Sequence, residues 1–181
     1  PVAPAPSGVA ALANSPPTET VVALVAPLAT KYDLAISLRF GETNTEMVAL
    51  KAALVARSLR VFLCDEAPGV DLKRTIFDAF SMCDRAVVAA SATYGRQTTS
   101  GFSTYEEMNF IQVTKKPYFL LKMLESPANA WEEAVTVATY GMDVWEFWRP
   151  GTPMPAGLVD KIGAKLEAVR SITRAPLPLA P

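Results

Sequence analysis

The chain contains no histidine. That absence removes Ser-His and Cys-His nucleophile systems, imidazole acid–base catalysis and histidine metal sites together. Cysteine is scarce too, and Cys64 and Cys83 cannot build a zinc site alone. Both sit among apolar residues, the setting of buried free thiols in a reducing, cytoplasmic compartment; a single disulfide between them stays open. Net charge is almost nil, −1 over 181 residues. No basic run has the density for a grip on phosphates, so no nucleic-acid partner is expected. Apolar runs are short. The longest, VVALVAPLA at 21–29, is broken by Pro27 and falls below the roughly 20 residues that span a bilayer. No basic flank precedes it, so neither a membrane span nor a signal peptide is expected. The first residue is proline, as in an excerpt of a longer protein.

What is present suits one domain with a substantial core, since 50% of the residues are hydrophobic. Residues 1–30 begin rich in Pro, Ala and Ser and read as a linker or arm. Residues 173–181 form a Pro-rich tail that cannot continue a helix. Between them, over 31–172, the hydrophobic period alternates. Short apolar runs at 32–38, 60–64, 85–91, 117–123 and 142–148 read as strands. Helical spacing appears at 45–59, where Met47, Leu50, Leu54 and Val55 share a face, and at 72–82, which groups Ile76, Phe77 and Phe80. Further helices are expected at 104–114, 129–140 and 156–172. Alternating strands and helices imply a five-stranded parallel sheet with helices on both faces, a flavodoxin-like α/β fold. Ligands of such sheets sit beyond the carboxyl ends of the strands. The loops there are 39–44, 65–71, 91–103 and 123–128.

The third of these loops leads into SGFSTYEEMNF, where Glu106 and Glu107 open a helix. Spacing alone offers a structural role for either. Ser103 with Glu106 fits a capping box, and so does Thr104 with Glu107. Either acid also gains from the positive helix end. GETNTE after the first strand is neither a Walker loop nor GxGxxG, which speaks against a kinase, an NTPase or a Rossmann dehydrogenase. A phospho-receiver is poorly supported, because Asp65 follows strand two and strand three ends at Ser91.

The order of the pieces resembles the TIR (Toll/interleukin-1 receptor/resistance protein) family over roughly residues 31–170. YDLAISLRFGETNTE resembles its aspartate-led first box running into Ser-x-Arg. RVFLCDEAPGVDLKRTIFDAF resembles the second strand, the BB loop and the helix after it. RAVVAASATYGRQTTSGFSTYEEM resembles the third strand, its Ser-x-x-Tyr and an acidic helix start. WEFW at 145–148 resembles the aromatic third box. Many TIR domains cleave NAD+, and others only scaffold signalling complexes by self-association. The resemblance implies Glu107 as the essential glutamate of the enzymes and leaves Glu106 as the cap. It implies NAD+ as a consumed substrate and no cofactor or metal. Arg39 and Phe40 fall where relatives line the nicotinamide end; a solvated arginine and a core phenylalanine are the alternatives. Asp71 belongs to the BB loop with Asp65 and Gly69, at a position that is phenylalanine in one animal enzyme. Ser103 stands where some enzymatic relatives have tryptophan, a place that Phe102 or Tyr105 could take over. Trp145 and Trp148 read as packing aromatics.

One carboxylate suffices for such a cleavage. Glycosidases generally use two, one of them to protonate the departing oxygen. The nicotinamide of NAD+ is already cationic and departs neutral, so the missing histidine is no obstacle. A carboxylate at 107, facing a ribose-sized pocket, would steady the oxocarbenium-like ribose. A non-catalytic TIR adaptor and a nucleoside 2-deoxyribosyltransferase-like enzyme remain alternatives.

Overall fold

The computed structural model describes residues 31–64, 71–99 and 103–174, with side chains through residue 171. The arm at 1–30, most of the BB loop (Asp65 and Gly69 included), Phe102 and the tail from residue 175 lie outside the described residues. Five strands form one parallel sheet in the order β2-β1-β3-β4-β5. They are β1 (Tyr32–Leu38), β2 (Val61–Leu63), β3 (Cys83–Ala90), β4 (Tyr118–Lys122) and β5 (Glu146–Phe147). The intervening helices are α1 (Asn44–Val55), α2 (Leu72–Ser81), α3 (Thr104–Val113) and α4 (Ala134–Tyr140), with α5 (Leu158–Arg174) last. This is the flavodoxin-like order, and the chain switches direction across the sheet between β1 and β3.

Strand alternation divides the core into two layers. Leu34, Ile36 and Leu38 of β1 pack with Met47, Leu50 and Leu54 of α1 and with Leu158, Ile162 and Leu166 of α5. Ala35 lies on the other face, with Ile76 and Phe80 of α2, Met108 and Ile111 of α3, and Tyr140 of α4. Ser37 follows Ala35 by two residues, so it shares that second face, beneath α3. It aligns with Val88 of β3. This phase of β1 decides the site.

Several sequence expectations shift at their edges. Val55 does not join the buried face of α1; it is 49% exposed. It is the last helical residue, and the chain leaves through Ser58 at φ 62°. Phe77 is only half-buried and stacks on Phe110 of α3 at 5.0 Å. The helix expected from residue 129 starts at Ala134. Its would-be first turn is docked elsewhere: Trp131 Nε1 donates to Ala90 O at 2.9 Å and Glu132 N to Ala92 O at 3.0 Å. β5 is shorter than 142–148, and Met142 and Val144 stand exposed. Both cysteines are buried and neither is in a disulfide, and burial pushes the Cys83 thiol up to about 11. Trp148 is a core residue whose Nε1 donates to Thr152 O. Trp145 and Trp131 flank the Lys122 ammonium at 4.9 and 5.1 Å. Among the described residues, no helix is long and apolar enough to cross a membrane.

Candidate active site around Glu107

The start of α3 separates the two adjacent glutamates. Ser103 is the N-cap, in extended backbone, and it forms a capping box with Glu106. Ser103 N and Oγ each donate to Glu106 Oε2 at 2.6 Å, and Tyr105 N donates to Ser103 Oγ at 3.2 Å. Burial alone would raise the Glu106 pKa, but the bonds from Ser103 and the helix backbone outweigh it and hold the carboxyl below its ordinary value. Glu106 is therefore an ionised cap.

Glu107 lies about 100° further round the helix, which turns it towards the sheet. It is 5% exposed, and its Oε2 accepts a short hydrogen bond from Ser37 Oγ on β1. Ser37 Oγ also lies 2.5 Å from the Tyr94 hydroxyl. No backbone amide of the first turn of α3 holds the Glu107 carboxyl among the described residues. Burial pushes it up to about 8; the Ser37 bond opposes that rise and the Glu106 charge adds to it. Burial thus favours the neutral form of the acid in this conformation, while the resemblance implies an anion. Tyr94 is fully buried, and burial, Tyr140 and Glu107 together raise its pKa far above normal. It stays protonated.

The loop after β3 is built to present Tyr94. Thr136 Oγ1 donates to Tyr94 O, and Gly95 N donates to Thr104 Oγ1 at 2.9 Å, tying the loop to the first turn of α3. Gly95 adopts φ +85°, and a Cβ there would lie 2.4 Å from Thr136 Oγ1. Only glycine meets both demands. On the other side of the crevice, Glu42 accepts from Thr93 Oγ1 and from Thr93 N, the latter at 3.3 Å. Burial would raise its pKa, but the Thr93 hydroxyl, Thr93 N and the Arg39 charge help to outweigh it, and its carboxyl is held low. Glu42, Ser91, Met123, Leu124 and Asn129 help to line a cavity of about 400 Å³ beyond the ends of β3 and β4. Glu107 does not line it.

The other residues read from the sequence fall around this centre in different ways. Arg39 is half-buried, and its Nη1 donates to Arg96 O at 3.1 Å. Phe40 is 37% exposed at the loop surface. Asp71 is the N-cap of α2 and accepts from Arg74 N at 3.1 Å. Ser103 spends its hydroxyl on the α3 cap. Sequence reasoning gave no role to Ser37, Tyr94, Thr93 or Glu42. Ser37 carried a readable signal, a polar residue within an apolar strand. Tyr94 carried one as the tyrosine of Ser-x-x-Tyr.

No protein-family model matches this chain, and no curated protein matches it. Among solved structures, it is similar to the TIR domains of the activated Roq1 resistosome directly recognizing the pathogen effector XopQ. The TM-score is 0.43 at 20% identity, over 80% of this chain and 84% of that one.

Proposed function

We propose that this chain is a TIR-type domain that cleaves the nicotinamide–ribose bond of NAD+, with Glu107 as the catalytic carboxylate. One observation carries the reading. Of two adjacent glutamates, the first satisfies the helix cap, and the second is sent inside at the carboxyl end of β1, beside the crevice where sheets of this order take ligands. A buried acid that neither caps nor pairs with a cation is costly to keep for stability alone.

The chemistry balances with one acid. The C–N bond to nicotinamide breaks, and its electron pair neutralises the ring nitrogen. Water attacks the ribosyl carbon and loses a proton, giving ADP-ribose, nicotinamide and H⁺. An adenine nitrogen in place of water gives a cyclic product. An ionised Glu107 stabilises the developing ribosyl cation. The cationic nicotinamide favours that ionised form as it binds. Arg39 and Phe40, on the loop after β1, are the proposed contacts to the nicotinamide end, and Asp71 and Ser103, the N-caps of α2 and α3, are proposed as further contacts. Self-association with other TIR domains completes the site, so the rate per molecule rises with protein concentration.

The adaptor reading draws on the same carboxyl, because burial favours its neutral form and a neutral acid stabilises no cation. The deciding experiment is nicotinamide release from NAD+ by concentrated protein between about pH 6 and about pH 9. Turnover rising with pH as Glu107 ionises, and falling about 100-fold or more in Glu107→Ala, is expected. Turnover retained in Glu107→Ala overturns the assignment. No nicotinamide at any concentration leaves the adaptor, and base exchange between deoxynucleosides with NAD+ intact points to the transferase.

A further inference from the structure

We propose that Ser37 and Tyr94 form a buried hydroxyl relay that aims the Glu107 carboxyl, which makes them the positioning residues of this site. Three elements meet in the relay: β1 supplies Ser37, the loop after β3 supplies Tyr94, and α3 supplies Glu107. Ser37 is 1% exposed, and Tyr94 is fully buried.

Proton counting gives the relay its direction. A serine hydroxyl has one proton and two lone pairs. When Glu107 is ionised, Ser37 must donate to it, because a carboxylate only accepts. The 2.5 Å contact to Tyr94 is then a bond that Ser37 accepts, with the phenol as donor. Tyr94 keeps its proton across the whole working range, so it is always available as that donor. When Glu107 is protonated and donates to Ser37, Ser37 turns its own proton to the phenol oxygen and the phenol proton loses Ser37 as its acceptor, so the complete chain of donors belongs to the ionised state. Bonds to a charged acceptor are about twice as strong as neutral ones, so the relay favours the ionised form against burial.

The relay is held from outside the site. Thr136 of α4 donates to Tyr94 O, the Tyr140 ring lies 6.3 Å from the Tyr94 ring, and Gly95 ties the loop to Thr104. The phenol is thereby fixed at its backbone, its ring and its tip. The titratable groups facing Glu107 are Tyr94 from the loop and Glu106 from its own helix. Neither supplies a positive charge, so the hydroxyls are what oppose the cost of ionisation.

The effect on turnover rests on the proposed reading of Glu107, but the effect on the carboxyl itself does not. The test is therefore ¹³C NMR of the full chain with glutamate labelled at Cδ, following Glu107 against pH, run beside NAD+ turnover. Ser37→Ala should move the Glu107 midpoint to higher pH, to a roughly tenfold lower proton concentration, and Tyr94→Phe should move it the same way by less. If the domain cleaves NAD+, kcat falls and its pH profile shifts in step, with KM little changed. Ser37→Thr, which keeps the hydroxyl, should restore the midpoint. Should Ser37→Ala not fold, Tyr94→Phe carries the test, since it removes one oxygen and keeps the ring. Midpoints unchanged from the parent chain in folded variants overturn the relay. Midpoints that move in a chain without NAD+ turnover uphold the relay and refute the enzymatic reading.

Discussion

Glu106 and Glu107 are the same residue type in the same helical turn, yet their carboxyls move in opposite directions. Glu106 faces Ser103 and is held low; Glu107 faces the sheet and is pushed up to about 8. The helix cap supplies Glu106 with hydrogen bonds that outweigh its burial, whereas Glu107 is buried more deeply with a single hydroxyl to oppose it. The consequence for stability has a definite sign. An unfolded glutamate releases its proton near 4.5, while the folded one keeps it to about 8. Between these values the folded state binds more protons, so stability falls as pH rises through the window and levels off above it. The loss is on the order of 3–5 kcal/mol for a shift of this size. Glu107→Gln keeps the shape without the charge, so thermal melts from pH 5 to pH 8 should flatten in that variant. A parental slope retained in Glu107→Gln would assign the pH dependence to another group.

At the scale of elements, the β3–α3 connection is where the fold commits its precision. Gly95 is pinned by its own amide to Thr104, and its positive φ sets Tyr94 under α3. Gly95→Ala meets both a left-handed backbone and Thr136 Oγ1 at 2.4 Å. That threonine is itself bonded to Tyr94 O, so it cannot retreat without releasing the relay. A loss of about 2 kcal/mol or more is expected, read as a fall in the denaturant midpoint. Ser103→Ala removes one side-chain cap and its bond to Glu106, and should cost about 1 kcal/mol by the same measurement while leaving the Glu107 titration in place.

Across the whole molecule, the two ends of the sheet do different work. At the amino end of β1, Asp33 is 5% exposed and gathers Arg60 N at 2.6 Å, Arg60 Nη2 at 2.7 Å and Arg170 Nη2 at 2.5 Å. Arg170 of α5 also reaches Asp84 at 2.9 Å. The aspartate that leads the first box thus clamps β1, β2 and α5 and lies at the opposite end from Glu107. Asp33→Ala leaves Arg170 half-buried with fewer partners and should cost about 2 kcal/mol in chemical denaturation. Any NAD+ turnover should survive at temperatures where the variant is folded. Lost turnover in a folded Asp33→Ala would mean that the two ends communicate.

Most of the architecture was legible from hydrophobic period alone, because period reports which face of an element meets the core. Tyr32–Leu38 as the first strand and Leu72–Ser81 as a helix follow from it closely. So does Ser103 as a cap, since its partner Glu106 lies within one turn. Where the reading slipped, a distant contact had overruled local preference: Trp131 docks on Ala90 and delays α4. The site divides along the same line. The missing histidine and the paired glutamates confined the available chemistry before any fold was known. Which glutamate goes inside, and what meets it there, was decided only when α3 settled on β1. Ser37 and Glu107 lie 70 residues apart, and Tyr94 reaches Ser37 across 57. A cap closes within a single turn and can be read from its spacing, whereas a buried carboxyl takes its ionisation from neighbours that only the folded sheet assembles.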